Sequence, residues 1–382
     1  MNERSIEILR ELDSRPSSPF FEYKVAQYIV ETIKQMGVKV ECDRFGNIIA
    51  HYDNFPSHRE RDPIAFVAHM DHPGFEITES YREGCIARAM GGIPVASLKK
   101  PTPVVVFTPR GERVAGEISP IDTMLRQEIP ERKVYLKLQS EVVSTFPIPV
   151  VFDLPDFSLD GDTIRMRALD DLAGCASILV ALEWLVLNEE KVDFYAVFTR
   201  AEEVGLIGAR LLAYEEILPK ETIIVSVESS PVIPGISQGE GPVIRTGDAS
   251  YTFDSEAEKF LSIGRLRIQE MNTAFKYQRH LMRGGTCEAT AFAHFGYRVT
   301  GIAFPLGNYH NATTKISDAS GGVDLEYIDV SDYLGGIELI MQSAIGVSRI
   351  GNYNASSWVT DISENIRSRM ATTAKVFDEL NT

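Results

Sequence analysis

Residues 193–205 read DFYAVFTRAEEVG, a mostly apolar run that ends in two adjacent glutamates. The aromatic and β-branched side chains of its first part are typical of a buried β-strand. Glu202 and Glu203 follow the point where that strand would end. Because ligands in open α/β folds bind outside the carboxyl ends of the strands, this segment predicts a fold class and a functional edge together.

Four further segments end in a similar way. Each stops at acidic or imidazole side chains, and these are His69 and Asp71, Asp170 and Asp171, Glu228, and His310. A helical pattern runs from about Asp171 to about Leu187, and further helical patterns alternate with the apolar runs. Such alternation indicates an α/β fold with a mostly parallel sheet and helices on both faces.

The pattern of the sequence changes between about residue 74 and about residue 160. Short β-rich runs such as PVVVFT and KVYLKL alternate there with turn residues and prolines. This spacing predicts a small β-barrel or sandwich inserted into the α/β domain. We therefore expect four segments: a catalytic α/β domain in two parts (1–73 and 161–345), a β-rich insertion (74–160) and a C-terminal helical extension (346–382).

One helical face is predicted within the C-terminal extension. Its apolar members are Ile362, Ile366, Met370, Phe377 and Leu380. Their spacing favours an amphipathic helix that docks on the chain's own domain over one that binds a partner.

Composition excludes several classes of function. The chain has 382 residues, 44% hydrophobic and 24% charged, which is ordinary for a soluble globular protein. A net charge of −16 argues against nucleic acid and anionic membranes as partners.

No run approaches the ~20 apolar residues of a membrane span, and the N-terminal stretch lacks the apolar core of a signal peptide, so a cytoplasmic location is expected. The four cysteines show no CxxC spacing and are expected to be reduced.

Five of the strand-end residues form a candidate metal-ligand set, namely His69, Asp170, Glu203, Glu228 and His310. Imidazole and carboxylate ligands suit zinc, cobalt and manganese, and one carboxylate can bridge two ions. Taken singly, each residue has a structural explanation: Asp170 and Asp171 could cap a helix, and Glu202 and Glu203 could lie on a solvated loop. Their occurrence together on successive strand ends favours a metal site.

Several segments resemble the motifs of the tetrahedral or deblocking aminopeptidases, a family that includes glutamyl aminopeptidases. They are DRFGNIIA (43–50), AHMDHPGF (68–75), ALDDLAG (168–174), AEEVGLIGA (201–209) and GGTCEATAF (284–292). The resemblance extends from about residue 5 to about residue 345. It implies an exopeptidase with two metal ions and an α/β domain with a β-barrel insertion. The family tends to form large shells of twelve subunits, and a smaller homo-oligomer is the alternative for this chain.

The resemblance also assigns the metal ligands. It makes His69, Asp170 and Glu228 the ligands of one ion. Asp170, Glu203 and His310 would hold the other ion, so that Asp170 bridges the two. The expected cofactors are two divalent ions per subunit, zinc first, with cobalt or manganese as alternatives.

Three further roles follow from the resemblance. Asp71 would orient His69 through the ring N–H of the histidine. The peptide bond between Asp170 and Asp171 would be cis. Glu202 would be the general base, and this agrees with simple geometry, because adjacent residues of an extended segment point in opposite directions and Glu202 and Glu203 cannot easily share one role.

Four departures from the family pattern leave the specificity open. Glu228 stands where the family usually has aspartate, and His72 and Pro73 follow the first motif's acid. GGTCEA places Glu288 where GGTDA is usual. Before His310 the family's arginine-tyrosine reads Gly307-Asn308-Tyr309, which removes a cation near the substrate. The expected partners are short peptides and further copies of the chain.

Two alternatives to an aminopeptidase stay open from the sequence. One is a related metal-dependent amidohydrolase, either a deacylase or a carboxypeptidase. The other is a catalytically silent binding protein. The intact Glu202 argues against the silent protein, because a general base is dispensable for metal binding.

Overall fold

The computed structural model describes residues 2–55, 62–108, 112–120, 132–140, 147–347 and 361–374. The chain forms two compact units, Met1–Val347 and Ser348–Thr382. The helices are α1 (Asn2–Asp13), α2 (Tyr23–Gln35), α3 (Leu169–Leu187), α4 (Ile207–Tyr214), α5 (Ser255–Met271), α6 (Glu288–His294), α7 (Val330–Gly346) and α8 (Glu364–Ala374).

The strands belong to two sheets and a barrel. They are β1 (Lys39–Cys42), β2 (Ile48–Asp53), β3 (Ile64–His69), β4 (Gly74–Tyr81), β5 (Gly84–Met90), β6 (Thr102–Phe107), β7 (Arg113–Ser119), β8 (Lys133–Leu138), β9 (Ile148–Phe152), β10 (Ser158–Asp160), β11 (Thr163–Met166), β12 (Asp193–Thr199), β13 (Ile223–Pro231), β14 (Val243–Gly247), β15 (Gln278–Leu281), β16 (Arg298–Leu306) and β17 (Glu326–Asp329).

An eight-stranded sheet has the order β1-β2-β12-β3-β13-β16-β14-β15. The central strands β12, β3, β13 and β16 are parallel neighbours. The sheet as a whole is mixed, because β2 and β14 pair antiparallel with the outer members of that group. The prediction of an α/β fold is confirmed, and the prediction of a mostly parallel sheet holds for its centre. Coverage of both faces by helices stays a prediction.

The central strands are buried along their whole length, as their apolar sequences require. Every residue of β3 is buried, as are the first eight residues of β13. Helix α3 packs against β3 and β13, and α5 and α7 pack against each other and against β16. This packing fixes the carboxyl ends of the strands at one edge of the sheet.

Strands β4–β9 form a closed antiparallel barrel in the order β4-β5-β8-β7-β6-β9. Its interior is apolar and includes Phe75, Val104, Val106, Leu136 and Phe152. The structure therefore shows a barrel in the β-rich stretch of the sequence. Strand β10 is not part of the barrel, because it pairs with β11, which in turn pairs with β17. The proposed domain boundaries stay a prediction.

The second unit contains α8, on which all described residues are exposed. Ile362, Ile366 and Met370 are among them, whereas Phe377 and Leu380 lie outside the described residues. The docking of this face stays a prediction.

Two other expectations can be checked on the described residues. All four cysteines are free thiols, as predicted. Within the described ranges, none of the helices has the length and apolar character needed to cross a membrane.

Candidate metal centre

The five candidate ligands lie together at the carboxyl edge of the central strands. His69 is the last residue of β3, and Glu203 follows β12 in a turn. Glu228 lies in β13, beyond the last residue that pairs with β3. Asp170 lies in the first turn of α3, and His310 follows β16 in a short 3₁₀ turn. Parallel neighbours end at the same edge, which is why residues so distant in sequence meet.

Asp170 directs one carboxylate oxygen toward each histidine. Its Oδ1 lies 3.2 Å from His69 Nε2, and its Oδ2 lies 3.5 Å from His310 Nε2. His310 Nε2 also lies 3.2 Å from Glu203 Oε1. The ligand atoms of His69, Asp170 and Glu228 lie within 4.8 Å of one another, and so do those of Asp170, Glu203 and His310. Both predicted groups are therefore present, and they share Asp170.

The hydrogen bonding of this cluster fits divalent cations. Asp170 Oδ1 and His310 Nε2 are buried and have no hydrogen-bond partner among the described residues. Buried polar atoms are nearly always paired, so two such atoms that converge on one site call for a ligand. His69 Nδ1 donates to the backbone carbonyl of Asp71 at 2.9 Å, and His310 Nδ1 donates to that of Gly92 at 3.1 Å. Because a carbonyl can only accept, both rings keep the Nε2 lone pair free for a metal.

The charges of the cluster are strongly coupled. Burial alone would raise the pKa of Asp170, but the nearby His310 and His69 rings lower it below its ordinary value. Burial alone would lower the pKa of His310, but the negative charges of Glu203 and Asp170 raise it well above its usual range. His69 behaves in the same way, because Glu202 and Asp170 outweigh the effect of burial and raise its pKa. A divalent cation would compete with these protons for the same atoms.

Asp71 contacts the cluster through two different groups. Its carbonyl accepts the hydrogen bond from His69, while its Oδ1 lies 3.8 Å from the same ring nitrogen. Its carboxylate accepts the backbone N–H groups of Glu202 and Glu203 at 2.9 and 3.1 Å. Asp71 therefore fixes both the first histidine and the paired glutamates, and burial raises its pKa to about 7.

Glu202 lies beside the predicted ligands. Its Oε2 is 4.0 Å from His69 Nε2, and burial, reinforced by the charge of Glu203, raises its pKa well above the ordinary value. A carboxylate of raised pKa next to a metal site suits a general base at neutral pH. The peptide bond between Asp170 and Asp171 is cis, as the resemblance implied.

Glu326 was missed by the sequence analysis. This buried residue begins β17, and its carboxylate accepts the backbone N–H of Asp170 at 3.0 Å and that of His310 at 2.8 Å. His310 has φ 54, which is uncommon for a residue other than glycine, so its backbone needs such support. No local pattern marks Glu326. Of its two partners, Asp170 is distant in sequence and His310 is separated from it by a loop.

Two of the departures from the family pattern are now explained. His72 is buried and does not face the cleft, because its ring lies between the backbone carbonyl of Asp170 at 2.6 Å and Asn311 Oδ1 at 3.0 Å. Glu288 is also buried and accepts hydrogen bonds from Thr199 Oγ1 at 3.0 Å and Ser226 Oγ at 3.2 Å. His72 therefore supports the backbone at Asp170, and Glu288 keeps an acidic group close to the site.

A cleft of about 480 Å³ opens onto the cluster, and a buried arginine side chain lines it. Arg245 lines this cleft together with Ser230, Met282 and Tyr309. Its side chain is 3% exposed, and its Nη1 lies 4.0 Å from Glu228 Oε2. Its Nε and Nη1 have no hydrogen-bond partner among the described residues. A buried guanidinium whose N–H groups lack acceptors is expected to bind a ligand that supplies them.

Comparison with known proteins agrees with this geometry. Residues 46–325 match the model of a family described as M42 glutamyl aminopeptidase, and this stretch includes all five candidate ligands. The chain belongs to this family. The resemblance found in the sequence is thereby confirmed.

Individual relatives cover most of the chain. A putative aminopeptidase from Acetivibrio thermocellus is 27% identical over 80% of this chain and 92% of its own length. A lysyl aminopeptidase from Pyrococcus furiosus is 24% identical over 63% of this chain and 73% of its own. Among solved structures, the TET1 peptidase of Pyrococcus horikoshii superposes with a TM-score of 0.72 at 25% identity, covering 89% of this chain and 99% of that one. The protein is therefore a peptide hydrolase of an aminopeptidase family.

Proposed function

We propose that this protein releases N-terminal residues from peptides with the help of two divalent metal ions. The observation that carries the proposal is Asp170, whose two oxygens face His69 and His310 and complete two groups of three ligands. His69, Asp170 and Glu228 would hold one ion, and Asp170, Glu203 and His310 the other. Zinc is the first choice, with cobalt or manganese as alternatives, because imidazole and carboxylate ligands accept all three.

The ions, when bound, would supply the Lewis acidity that activates water and polarises the scissile carbonyl. Glu202 Oε2 would take a proton from the attacking water and pass it to the leaving amine. Asp71 would keep Glu202 in place through the hydrogen bond to its backbone N–H. Release from the N-terminus is supported by the family description and by the relatives that are named aminopeptidases.

We further propose that the cleft prefers an acidic side chain on the first residue. A substrate carboxylate would supply the hydrogen-bond partner that Arg245 Nε and Nη1 lack among the described residues. A lysine side chain in the same place would instead meet a like charge. The family description names glutamyl residues and one relative is named a lysyl aminopeptidase. Arg245 supports the acidic preference for this chain.

We also propose that the protein forms a homo-oligomer and acts in the cytoplasm. The TET1 peptidase of Pyrococcus horikoshii is described as assembling into a tetrahedron or a large octahedral shell, which supports assembly here. The size of the oligomer is left open.

The activity can be tested by mass spectrometry of a peptide mixture that contains free, N-acetylated and C-amidated peptides. The protein is incubated with added zinc or cobalt, and with a chelator as control. Stepwise shortening of peptides with free N-termini, abolished by the chelator, is the expected result. Shortening from the C-terminus, or loss of acetyl groups, would instead support the amidohydrolase. The absence of any product under every metal would support the silent binding protein.

The preference can be tested on Arg245→Gln with substrates that begin with glutamate, leucine or lysine. We expect kcat/KM for the glutamyl substrate to fall about 10- to 100-fold, because a hydrogen bond to a charged group is lost, while the leucyl substrate changes less. Arg210→Gln is the matched control, since Arg210 lines the same cleft but is exposed. An unchanged ratio of glutamyl to leucyl cleavage in Arg245→Gln would contradict the assignment.

A further inference from the structure

A second groove, of about 810 Å³, borders the metal cluster on the side of the barrel. The barrel contributes Arg88, Met90, Gly91, Arg132 and Lys133 to its wall. Among the described residues that line the groove, three carry positive charge and one, Glu203, carries negative charge. Glu203 is also a wall of the catalytic cleft, so the two depressions meet at a predicted metal ligand.

Gly91 brings the barrel into close contact with this ligand. A Cβ atom added at Gly91 would lie 3.2 Å from the Cβ of Glu203, and the backbone there has φ 79. The position therefore requires a residue without a side chain. The carbonyl of Gly91 accepts a hydrogen bond from Arg132 Nη2 at 3.3 Å. Gly91 therefore contacts both the Arg132 guanidinium and a predicted metal ligand.

The three cations differ in how far their charge is already neutralised. Arg88 bonds the buried carboxylate of Glu76, and Lys133 Nζ lies 3.5 Å from Glu79 Oε1. Arg132 is exposed, and within the described ranges its side chain contacts a carbonyl and no carboxylate. Among the described residues that line the groove, Arg132 is therefore the cation that has no carboxylate partner. The described lining of this groove is positively charged, although the chain as a whole has a net charge of −16.

We propose that this groove binds the part of the peptide that follows the cleaved bond, and that Arg132 pairs with a carboxylate there. The inference rests on the proposed function: if the first residue enters the cleft that contains Arg245, the rest of the peptide must leave past the metal cluster. The groove at Glu203 provides such a path. The carboxylate is either an acidic side chain shortly after the cleaved bond or the free C-terminus of a short peptide.

The test compares tripeptides with the same N-terminal residue and different charges beyond it. Glu-Ala-Ala is measured with a free and with an amidated C-terminus, and amidated Glu-Ala-Glu is compared with amidated Glu-Ala-Gln. We expect a carboxylate to raise kcat/KM about 3- to 5-fold, which is the range of an exposed ion pair, and 0.5 M salt to reduce this ratio. The first pair of peptides reports on the C-terminus and the second on the side chain.

Arg132→Gln should bring whichever ratio exceeds 1 back to about 1. Lys137→Gln is the matched control, because Lys137 is an exposed cation on β8, the strand that begins directly after Arg132, and does not line the groove. It should leave the ratio unchanged. Equal rates for all four peptides in the wild type, or a ratio that survives in Arg132→Gln, would overturn the inference. Failure to cleave any of the peptides with metal added would instead overturn the proposed function.

Discussion

The carboxyl edge of the central strands and the interior of the barrel are both buried, but they contain opposite kinds of side chain. The edge buries His69, Asp170 and Glu228, and some of its polar atoms have no hydrogen-bond partner in the part of the chain that the structure describes. The barrel interior buries aliphatic and aromatic side chains such as Phe75 and Val104. Burial of charge is costly unless a ligand compensates it, whereas burial of apolar area stabilises directly.

This difference separates the chemistry of the molecule from the support of that chemistry. The sheet edge supplies every candidate metal ligand. The barrel reaches the cluster through the backbone at Gly91 and Gly92, which contact Glu203 and His310. If this separation is right, changes at the edge should affect turnover, and changes inside the barrel should affect stability alone.

The largest effect is expected from Glu202→Gln. The substitution removes the proposed proton carrier while keeping the size of the side chain, so kcat should fall by about 10²- to 10⁴-fold. The metal content, measured by elemental analysis, should not change. Glu216→Gln is the control, because Glu216 is an exposed glutamate elsewhere in the same unit. A Glu202→Gln variant with wild-type kcat would show that the base has been misassigned.

A smaller effect is expected from pH on metal affinity. In the metal-free protein the neighbouring carboxylates raise the pKa of both His69 and His310, so protons compete for the Nε2 atoms. Each proton displaced by the metal weakens the apparent affinity up to ~10-fold for every unit by which the pH falls below the pKa. Zinc affinity measured against a competing chelator should therefore decrease steadily from pH 8 to pH 6. An affinity independent of pH would contradict the assignment of the two histidines as ligands.

The smallest effect is expected where the barrel meets the site. A Cβ added at Gly92 would overlap His310 Nδ1, so Gly92→Ala should displace the ring or break its bond to the Gly92 carbonyl. Loss of such support weakens metal binding by roughly 10-fold. Titration calorimetry with zinc measures the change.

Val104→Ala in the barrel interior is the control for Gly92→Ala. It should cost about 1–2 kcal/mol in the free energy of unfolding and leave zinc affinity unchanged. The separation between edge and barrel would fail if Gly92→Ala bound zinc like the wild type, or if Val104→Ala weakened zinc binding.

Much of the edge could be predicted from the sequence, because each candidate ligand follows an apolar run or opens a helix. His69 and Glu203 are found in this way from strand patterns alone, and the order of family motifs adds the pairing of ligands. The change after residue 74 to short β-rich runs separated by turn residues likewise predicts a β-rich unit. This pattern does not distinguish a barrel from a sandwich.

Other features depend on contacts that no local pattern records. Glu326 and Gly92 support the site through hydrogen bonds to residues far along the chain or beyond a loop. Arg245 resembles any strand residue until the fold buries it beside Glu228. The mixed character of the sheet was also missed, because strand direction depends on connections and not on periodicity.

The most direct test of the account is the number of zinc ions bound per subunit, counted by native mass spectrometry on the wild type and on Asp170→Ala. We predict two ions in the wild type and the loss of both in the variant, because Asp170 is the ligand common to the two groups. A single ion in the wild type, or an Asp170→Ala variant that keeps one ion at wild-type affinity, would contradict a shared two-metal centre.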